Sequence, residues 1–278
     1  MLIDTHSHVN FAYFKEDFDQ VTHRALDEKI WMINVGAEYK TSRRALDMAN
    51  RYERGVYAAV GLHPLHLYKS ETEGDGYVFA GRDEEFNYDA YEKLASFEKV
   101  VAIGEIGLDY YKINPGIDVQ EVKKVQKEAF WQQLLLAHRL EKPVIIHCRQ
   151  AHDDTLALIK DFRREHKDLI PNKPWGVMHC FSGDEDLAWQ YFNLGLLISF
   201  TGLITFSHQW DSLIRKIPSD KFMVETDCPF MTPEPFRGTR NEPLYVQYVA
   251  KKIAEIRGTT EEKIAEMTTR NARNLFEI

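Results

Sequence analysis

Apolar runs and helix-forming segments alternate about eight times along this chain, and that alternation restricts its fold more than any other feature. The apolar runs lie at 2–6, 31–36, 56–61, 100–106, 143–148, 175–180, 196–201 and 222–227. Segments with helical periodicity lie between and after them, at 17–29, 41–53, 88–97, 119–140, 152–166, 184–194, 207–216 and 242–257. Continuously apolar runs are typical of parallel strands buried on both faces. We therefore predict a TIM (β/α)8 barrel, an α/β fold, that spans residues 1–278 as a single domain.

An open, doubly wound α/β sheet is the alternative arrangement for the same alternation. Such a sheet is expected to carry a glycine-rich first turn, whereas the first turn of this chain carries histidines. Residues 65–89 are polar and contain glycines, which predicts a surface insertion or lid. Residues from 259 onward begin like a capped helix, and we expect this final helix to pack on the barrel.

Five of the predicted strands end in side chains that commonly bind metal ions. His6 and His8 close the first strand, where residues two apart point to the same side. The other candidates each follow a later apolar run: Glu105, His147, His179 and Asp227. Each alone could be a buried histidine or a carboxylate in a turn or ion pair. Because the carboxyl ends of barrel strands face one mouth, their joint placement predicts a metal site there.

The number and type of these side chains indicate two divalent ions. A mixture of imidazoles and carboxylates suits Zn, Mn, Fe, Co or Ni, and suits Mg less well. Six protein ligands exceed what one catalytic ion with an open position needs. A carboxylate that bridges two ions about 3.5–4 Å apart would accommodate the excess, and we place Glu105 there.

Charge and composition exclude several other classes of protein. The net charge of -8 gives no general attraction to nucleic acid or to an anionic membrane, although bound cations would reverse the field inside a phosphate site. Cys148, Cys180 and Cys228 are odd in number, which predicts buried free thiols rather than disulfides or metal ligands. No apolar stretch is long enough to span a membrane and no signal sequence is recognisable. We therefore expect a cytoplasmic protein with no membrane partner, and a monomer.

Seven short motifs connect the candidate ligands to a known family. They lie at 5–8, 61–64, 104–109, 146–149, 179–183, 225–229 and 235–243. Together they resemble the TatD family of metal-dependent deoxyribonucleases, within the amidohydrolase superfamily, from the first strand to the C-terminal helix. The resemblance implies that one ion is held by His6, His8, Glu105 and Asp227, and the other by Glu105, His147 and His179. The chain departs from the family pattern in the insertion at 65–89 and at 150–153, and both places border the mouth.

The resemblance further implies 3′-to-5′ exonuclease or other DNase activity, and we expect single-stranded DNA as the substrate. The expected reaction is hydrolysis of a phosphodiester by a water that two ions activate, with Asp227 as the general base. The residues predicted to contact the substrate are His63, Arg149, Arg237 and Arg240. Arg149 could instead pair with Asp153 or Asp154, and the other two arginines could brace the final helix.

Two other functions remain open on the sequence alone. An ester or amide hydrolase, such as a D-aminoacyl-tRNA deacylase, would use the same ions to polarise a carbonyl group. A metal-bound scaffold without catalysis is disfavoured because the ligand set is complete. Aromatic residues near strand ends would favour a single-stranded nucleic acid if they are exposed: Tyr110, Tyr111 and Phe230.

Overall fold

Eight parallel strands form one sheet around the centre of the protein, in a computed structural model that describes residues 1–69, 71–74, 77–81, 83–111, 113, 116–167 and 173–278. The strands are β1 (Leu2–Ser7), β2 (Ile30–Val35), β3 (Val56–Val60), β4 (Glu71–Gly74), β5 (Tyr77–Ala80), β6 (Val100–Asp109), β7 (Val144–Arg149), β8 (Gly176–Met178), β9 (Leu196–Phe200) and β10 (Phe222–Val224). β4 and β5 pair with each other as an antiparallel hairpin, and the other eight follow chain order around the sheet. This order confirms the predicted TIM barrel.

The first and last strands of the sheet meet just beyond β10. A parallel bridge joins Ser7 to Cys228. The backbone N–H of Asp227 donates to the carbonyl of His6 at 2.8 Å, and that of His8 donates to the carbonyl of Cys228 at 2.9 Å. These bonds bring the segment after β10 against β1, so the barrel is nearly closed and the two chain halves share one mouth.

Nine helices within the described residues surround the barrel. They are α1 (Phe18–Asp27), α2 (Tyr39–Ala49), α3 (Tyr88–Ala95), α4 (Val119–Arg139), α5 (His152–Glu165), α6 (Glu185–Asn193), α7 (Asp211–Lys216), α8 (Val246–Arg257) and α9 (Glu261–Phe276). Side-chain oxygens of Asn87, Asp118, Asp184 and Thr260 accept backbone N–H bonds at the starts of α3, α4, α6 and α9. Such caps satisfy donors that the first helical turn leaves unpaired.

The barrel interior is apolar at the amino ends of the strands and polar at their carboxyl ends. One buried cluster joins inward-facing residues of the strands, among them Ile3, Val101 and Ile145, to Leu275 and Phe276 of α9. The last helix therefore seals the end of the barrel opposite the mouth. On β7, side chains two residues apart share a face, so His147 follows Ile145 on the inner side and lies nearer the mouth.

The predicted insertion contains a short 3-10 helix, Pro64–Leu67, and the β4–β5 hairpin. Ser70, Asp75, Gly76 and Arg82 of this insertion lie outside the described residues. A role for it as a lid stays a prediction. In the described part of the chain, we find no helix with the length and apolarity needed to cross a membrane.

Candidate metal-binding active site

Glu105 of β6 lies at the centre of the mouth, and its two carboxylate oxygens face different histidines. Oε2 lies 3.4 Å from Nε2 of His6 and 3.8 Å from Nε2 of His8. Oε1 lies 2.9 Å from Nδ1 of His147 and 3.1 Å from Nε2 of His179. One buried carboxylate thus separates two groups of nitrogen donors.

Asp227 and His63 complete the arrangement from opposite sides. Asp227 Oδ1 lies 3.3 Å from Nε2 of His8 and 3.8 Å from Nε2 of His6. His63 Nε2 lies 3.4 Å from Glu105 Oε1. Asp227 has a φ of +56°, in the left-handed region that Asp adopts more readily than most non-glycine residues. The structure therefore brings all six predicted ligands together, with His63 beside them.

The carboxylates of the site are ionised. Burial by itself would raise the pKa of Glu105, but the imidazoles of His63, His179 and His6 hold it well below its usual range. The same balance of burial against nearby histidines lowers the pKa of Asp227. Both groups can therefore act as anionic ligands at neutral pH.

Three ring nitrogens that face away from Glu105 are held by acceptors. His8 Nδ1 donates to the carbonyl of Val35 at 2.8 Å, and His179 Nδ1 donates to Glu225 Oε1 at 3.0 Å. His147 Nε2 donates to Asp109 at 3.0 Å. Acceptors in this position fix the orientation of a metal-binding ring and leave its other nitrogen available to an ion.

Glu225 and Asp109 hydrogen-bond to the candidate ligands His179 and His147, and the sequence interpretation did not include them. Glu225 also accepts bonds from the backbone N–H of Cys180 at 2.6 Å and the hydroxyl of Ser199 at 2.6 Å. Asp109 also accepts a bond from the backbone N–H of Tyr111 at 2.8 Å. Both lie inside the motifs at 104–109 and 225–229. The signal that could have found them is a second carboxylate close in sequence to each carboxylate ligand.

The rings of His147 and His179 are positively charged when no cation is present. Burial disfavours charge on His147, but its hydrogen bonds with Asp109 and Glu105 raise its pKa to about 9. Burial likewise opposes charge on His179, but Glu105 and Glu225 raise its pKa well above its ordinary value. Because an ion binds the deprotonated ring, protons and divalent ions compete for these positions.

The donor set fits divalent cations. Ligand atoms of His6, His8 and Glu105 lie within 4.8 Å of one another, and so do those of His63, Glu105 and His147. In the part of the chain that the structure describes, no lysine or arginine forms an ion pair with Glu105 or Asp227. Their charge is therefore balanced by protonated histidines or by bound cations. Imidazole and carboxylate together are the ligands of Zn and its neighbours in the first transition row.

The arginines that were predicted to contact the substrate differ in the contacts they make within the protein. Arg149 is exposed at the end of β7, and its guanidinium lies over the ring of Tyr111 at 3.7 Å. Asp154 does not pair with it, because that carboxylate contacts Lys127 at 2.9 Å and the hydroxyl of Tyr110 at 2.8 Å. Among the described residues no carboxylate pairs with Arg149, and its guanidinium rests on the Tyr111 ring at the end of β7.

Arg237 and Arg240 are engaged within the protein. Arg237 donates to the carbonyl of Thr232 at 2.9 Å and covers the ring of Phe206. Arg240 forms a two-pronged ion pair with Asp17. Their predicted contact with substrate would require them to exchange these partners.

The aromatic residues and the cysteines also have defined surroundings. Phe230 is buried, at 6% exposure, so it does not meet the condition of exposure that base stacking requires. Cys148 and Cys228 are free and buried, and Cys180 is free and partly buried. Burial raises the pKa of Cys148 to about 11 and that of Cys180 to about 12, so both are neutral thiols at neutral pH.

Comparison with known proteins identifies the family of this chain. The family model described as TatD related DNase matches residues 3–277. The "uncharacterized metal-dependent hydrolase YabD" of Bacillus subtilis is 38% identical, with 100% of both chains covered. The "3'-5' ssDNA/RNA exonuclease TatD" of Erwinia billingiae is 30% identical over 100% of this chain and 99% of its own.

A solved structure extends the comparison to three dimensions. The crystal structure of YJJV, a TatD homologue from Escherichia coli K12, superposes with a TM-score of 0.81 at 30% sequence identity. The match covers 100% of this chain and 98% of that chain. Since the family model and these full-length relatives agree, the chain belongs to the TatD-related DNase family of metal-dependent hydrolases.

Proposed function

We propose that this hydrolase is a deoxyribonuclease that shortens single-stranded DNA from its 3′ end. The observation that carries the proposal is the position of Glu105, whose two oxygens face separate groups of histidines. The name of the Erwinia billingiae relative, a 3′-5′ ssDNA/RNA exonuclease, supports the substrate class.

The proposed ligands divide between two divalent ions. His6, His8, Asp227 and Oε2 of Glu105 would hold one, and His147, His179 and Oε1 of Glu105 would hold the other. Bound there, the ions would supply Lewis-acid activation of a water and would neutralise charge on the phosphate. The chemistry of the donors is compatible with Zn, Mn, Co or Ni, and less so with Mg.

Protein side chains supply the proton transfer and the orientation of the phosphate. Asp227 is an ionised carboxylate at the mouth, and in this proposal it accepts the proton of the attacking water. His63 Nδ1 accepts the backbone N–H of Leu65 at 3.1 Å, and burial lowers the pKa of the ring. The neutral ring therefore carries its proton on Nε2, which faces Glu105 and can donate to a phosphate oxygen.

Hydrolysis of a 5′-labelled single-stranded oligonucleotide tests the proposal, with Mn, Mg and Zn supplied separately. We expect stepwise shortening that requires metal and falls at least a hundredfold in Asp227→Asn, the range seen when one acid–base group is removed. Asp220→Asn is the matched control, because Asp220 is exposed just before the amino end of β10, away from the mouth.

Two outcomes would overturn the proposal. Equal activity in Asp227→Asn and Asp220→Asn would remove Asp227 from the chemistry. An oligonucleotide that stays intact in every metal would exclude the nuclease, and the carbonyl hydrolases, starting with aminoacyl-tRNA deacylation, would then be tested.

A further inference from the structure

The inner face of β7 carries an arginine directly beyond the proposed ligands. Ile145 belongs to the apolar interior, and His147 and Arg149 follow it at intervals of two residues. Cys148, between them, points outward and contacts Thr155 of α5 at 3.3 Å. The alternation of a strand therefore places Arg149 on the same side as His147, about 6.6 Å further toward the mouth from a rise of about 3.3 Å per residue. That displacement is comparable to one nucleotide unit of an extended strand.

Tyr111 holds this arginine in a defined orientation. The guanidinium lies 3.7 Å from the centre of the Tyr111 ring. The backbone N–H of Tyr111 donates to Asp109, and the same carboxylate accepts from His147. Tyr111, Asp109 and His147 therefore connect the Arg149 guanidinium to the proposed metal site. A cation stacked on an aromatic face keeps the N–H groups at its edge available to an anion.

Arg149 has no competing anion among the residues that the structure describes. None of their carboxylates lies within 4.0 Å of its guanidinium, in contrast to Arg240, which is paired with Asp17. The hydroxyl of the neighbouring Tyr110 donates to Asp154, and Lys123 lies over the Tyr110 ring. In a chain of net charge -8, a guanidinium that no described carboxylate pairs with would attract a second phosphate beside the metal site.

We propose that Arg149, oriented by Tyr111, binds the internucleotide phosphate next to the scissile one. This inference depends on the proposed nuclease function, and it names a subsite that requires a substrate with at least two phosphates. The site would therefore favour oligonucleotides over simple phosphodiesters. Tyr111 is a positioning residue, because it acts on the phosphate through the guanidinium.

Kinetics with two substrates test the subsite. A thymidine trinucleotide has neighbouring phosphates, whereas bis(p-nitrophenyl) phosphate has one. We expect Arg149→Gln to lose at least tenfold more kcat/KM on the trinucleotide than on the simple diester, mainly through KM. Arg273→Gln is the matched control, since Arg273 lies over the ring of Trp31 near the start of β2, at the end opposite the mouth. Equal losses on both substrates, or none on either, would overturn the proposal.

Binding separates this inference from the proposed function. A fluorescent phosphorothioate tetrathymidylate, which resists hydrolysis, is titrated into the Mn-loaded full chain at several salt concentrations. Arg149→Gln should reduce the slope of log K against log salt by about 0.7, the value for one lost phosphate contact on a single strand. Arg149→Lys should keep the slope while affinity falls, because it retains the charge and loses the fork.

Tyr111→Leu adds a readout for orientation. We expect weaker binding with an unchanged slope, and restored binding in Tyr111→Phe, which keeps the aromatic face. An unchanged slope in Arg149→Gln would overturn the subsite even if the protein cleaves DNA. The wild-type chain could instead bind the probe with a slope about 0.7 steeper than that of Arg149→Gln, yet cleave no oligonucleotide. That result would exclude the nuclease function, whereas the phosphate contact of Arg149 would stand.

Discussion

Individual side chains in the mouth are held by a balance between burial and mutual charge. His147 illustrates it, because one ring nitrogen faces Glu105 and the other faces Asp109. The two carboxylates raise its pKa to about 9, against burial that opposes the charge. In the absence of ions, the charged ring of His147 partly neutralises Glu105 and Asp109, as a bound divalent cation would.

The raised pKa predicts how the stability of the metal-free protein depends on pH. An unfolded histidine titrates near 6.5, so His147 stabilises the metal-free fold fully below about pH 6.5. This contribution is lost as pH rises through about 9. In EDTA-treated protein, urea unfolding should therefore show a decline in the free energy of unfolding between pH 6.5 and 9, and a smaller decline in His147→Gln.

His23→Gln is the control for that measurement, because His23 is exposed on α1. It should reproduce the wild-type decline. Identical pH profiles for the wild type and His147→Gln would contradict the assignment of the raised pKa to His147.

The candidate ligands at strand ends could be predicted from the sequence, whereas the residues that accept hydrogen bonds from them could not. His6, His8, Glu105 and His147 follow from strand periodicity, since each lies at the carboxyl end of an apolar run. The hydrogen bond that His179 donates to Glu225 joins segments far apart in the chain, so no local pattern contains it. Position along a strand is a local property, whereas a hydrogen-bond partner depends on how strands are arranged around the barrel.

Among the elements, α4 contributes polar side chains to the strand ends. Gln133 accepts the backbone N–H of Leu62 at 2.7 Å and donates to its carbonyl at 3.0 Å. Gln126 makes the same pair of bonds with Asp109, at 2.8 and 2.9 Å. Residues seven apart lie on one face of a helix, so α4 replaces a neighbouring strand at two places near the mouth. The first of these two residues, Leu62, directly precedes His63.

Removal of one of these amides should destabilise the protein. Gln133→Leu keeps the approximate volume but leaves the buried backbone groups of Leu62 without partners, at a cost of about 1–3 kcal/mol for each group. Gln132→Leu is the matched control, because Gln132 is exposed on the same helix. Urea denaturation of both variants measures the difference, and equal stabilities would show that Gln133 does not support the strand end.

The ends of helices and strands could be predicted from the sequence where capping residues or a long helical pattern marked them. α9 begins after the Thr260 cap, and α4 occupies almost the whole segment predicted for it. α7 begins at Asp211 rather than near 207, and β10 ends at Val224 rather than at 227. The segment after β10 leaves the ladder because its backbone turns toward β1, which is a tertiary effect and has no signal in strand propensity.

For the whole molecule, the site joins the first strand of the sheet to the segment after the last strand, so bound ions should stabilise the entire fold. An ion at 100 times its Kd contributes about 2.7 kcal/mol to stability. For a chain of this size that corresponds to a rise of about 5 °C in Tm. We expect Mn or Zn to produce such a rise in EDTA-treated protein, and Glu105→Gln to abolish most of it, because Glu105 serves both groups of donors.

Glu98→Gln is the control, since Glu98 is exposed just before β6, at the opposite end from the mouth. It should show the wild-type rise in Tm. A Glu105→Gln protein that gains as much from the ions as the wild type does would contradict the bridging position of Glu105.

The bridge between Ser7 and Cys228 has a consequence for how the protein is made. His6 leaves the ribosome early, whereas Asp227 leaves it only when most of the chain has been translated. Until then the first strand has no partner on its open side and the ligand set lacks one carboxylate. A chain shortened by a premature stop codon before this point would carry histidines but could not assemble the catalytic centre. Assembly of the complete ligand set therefore requires translation of the chain as far as Asp227.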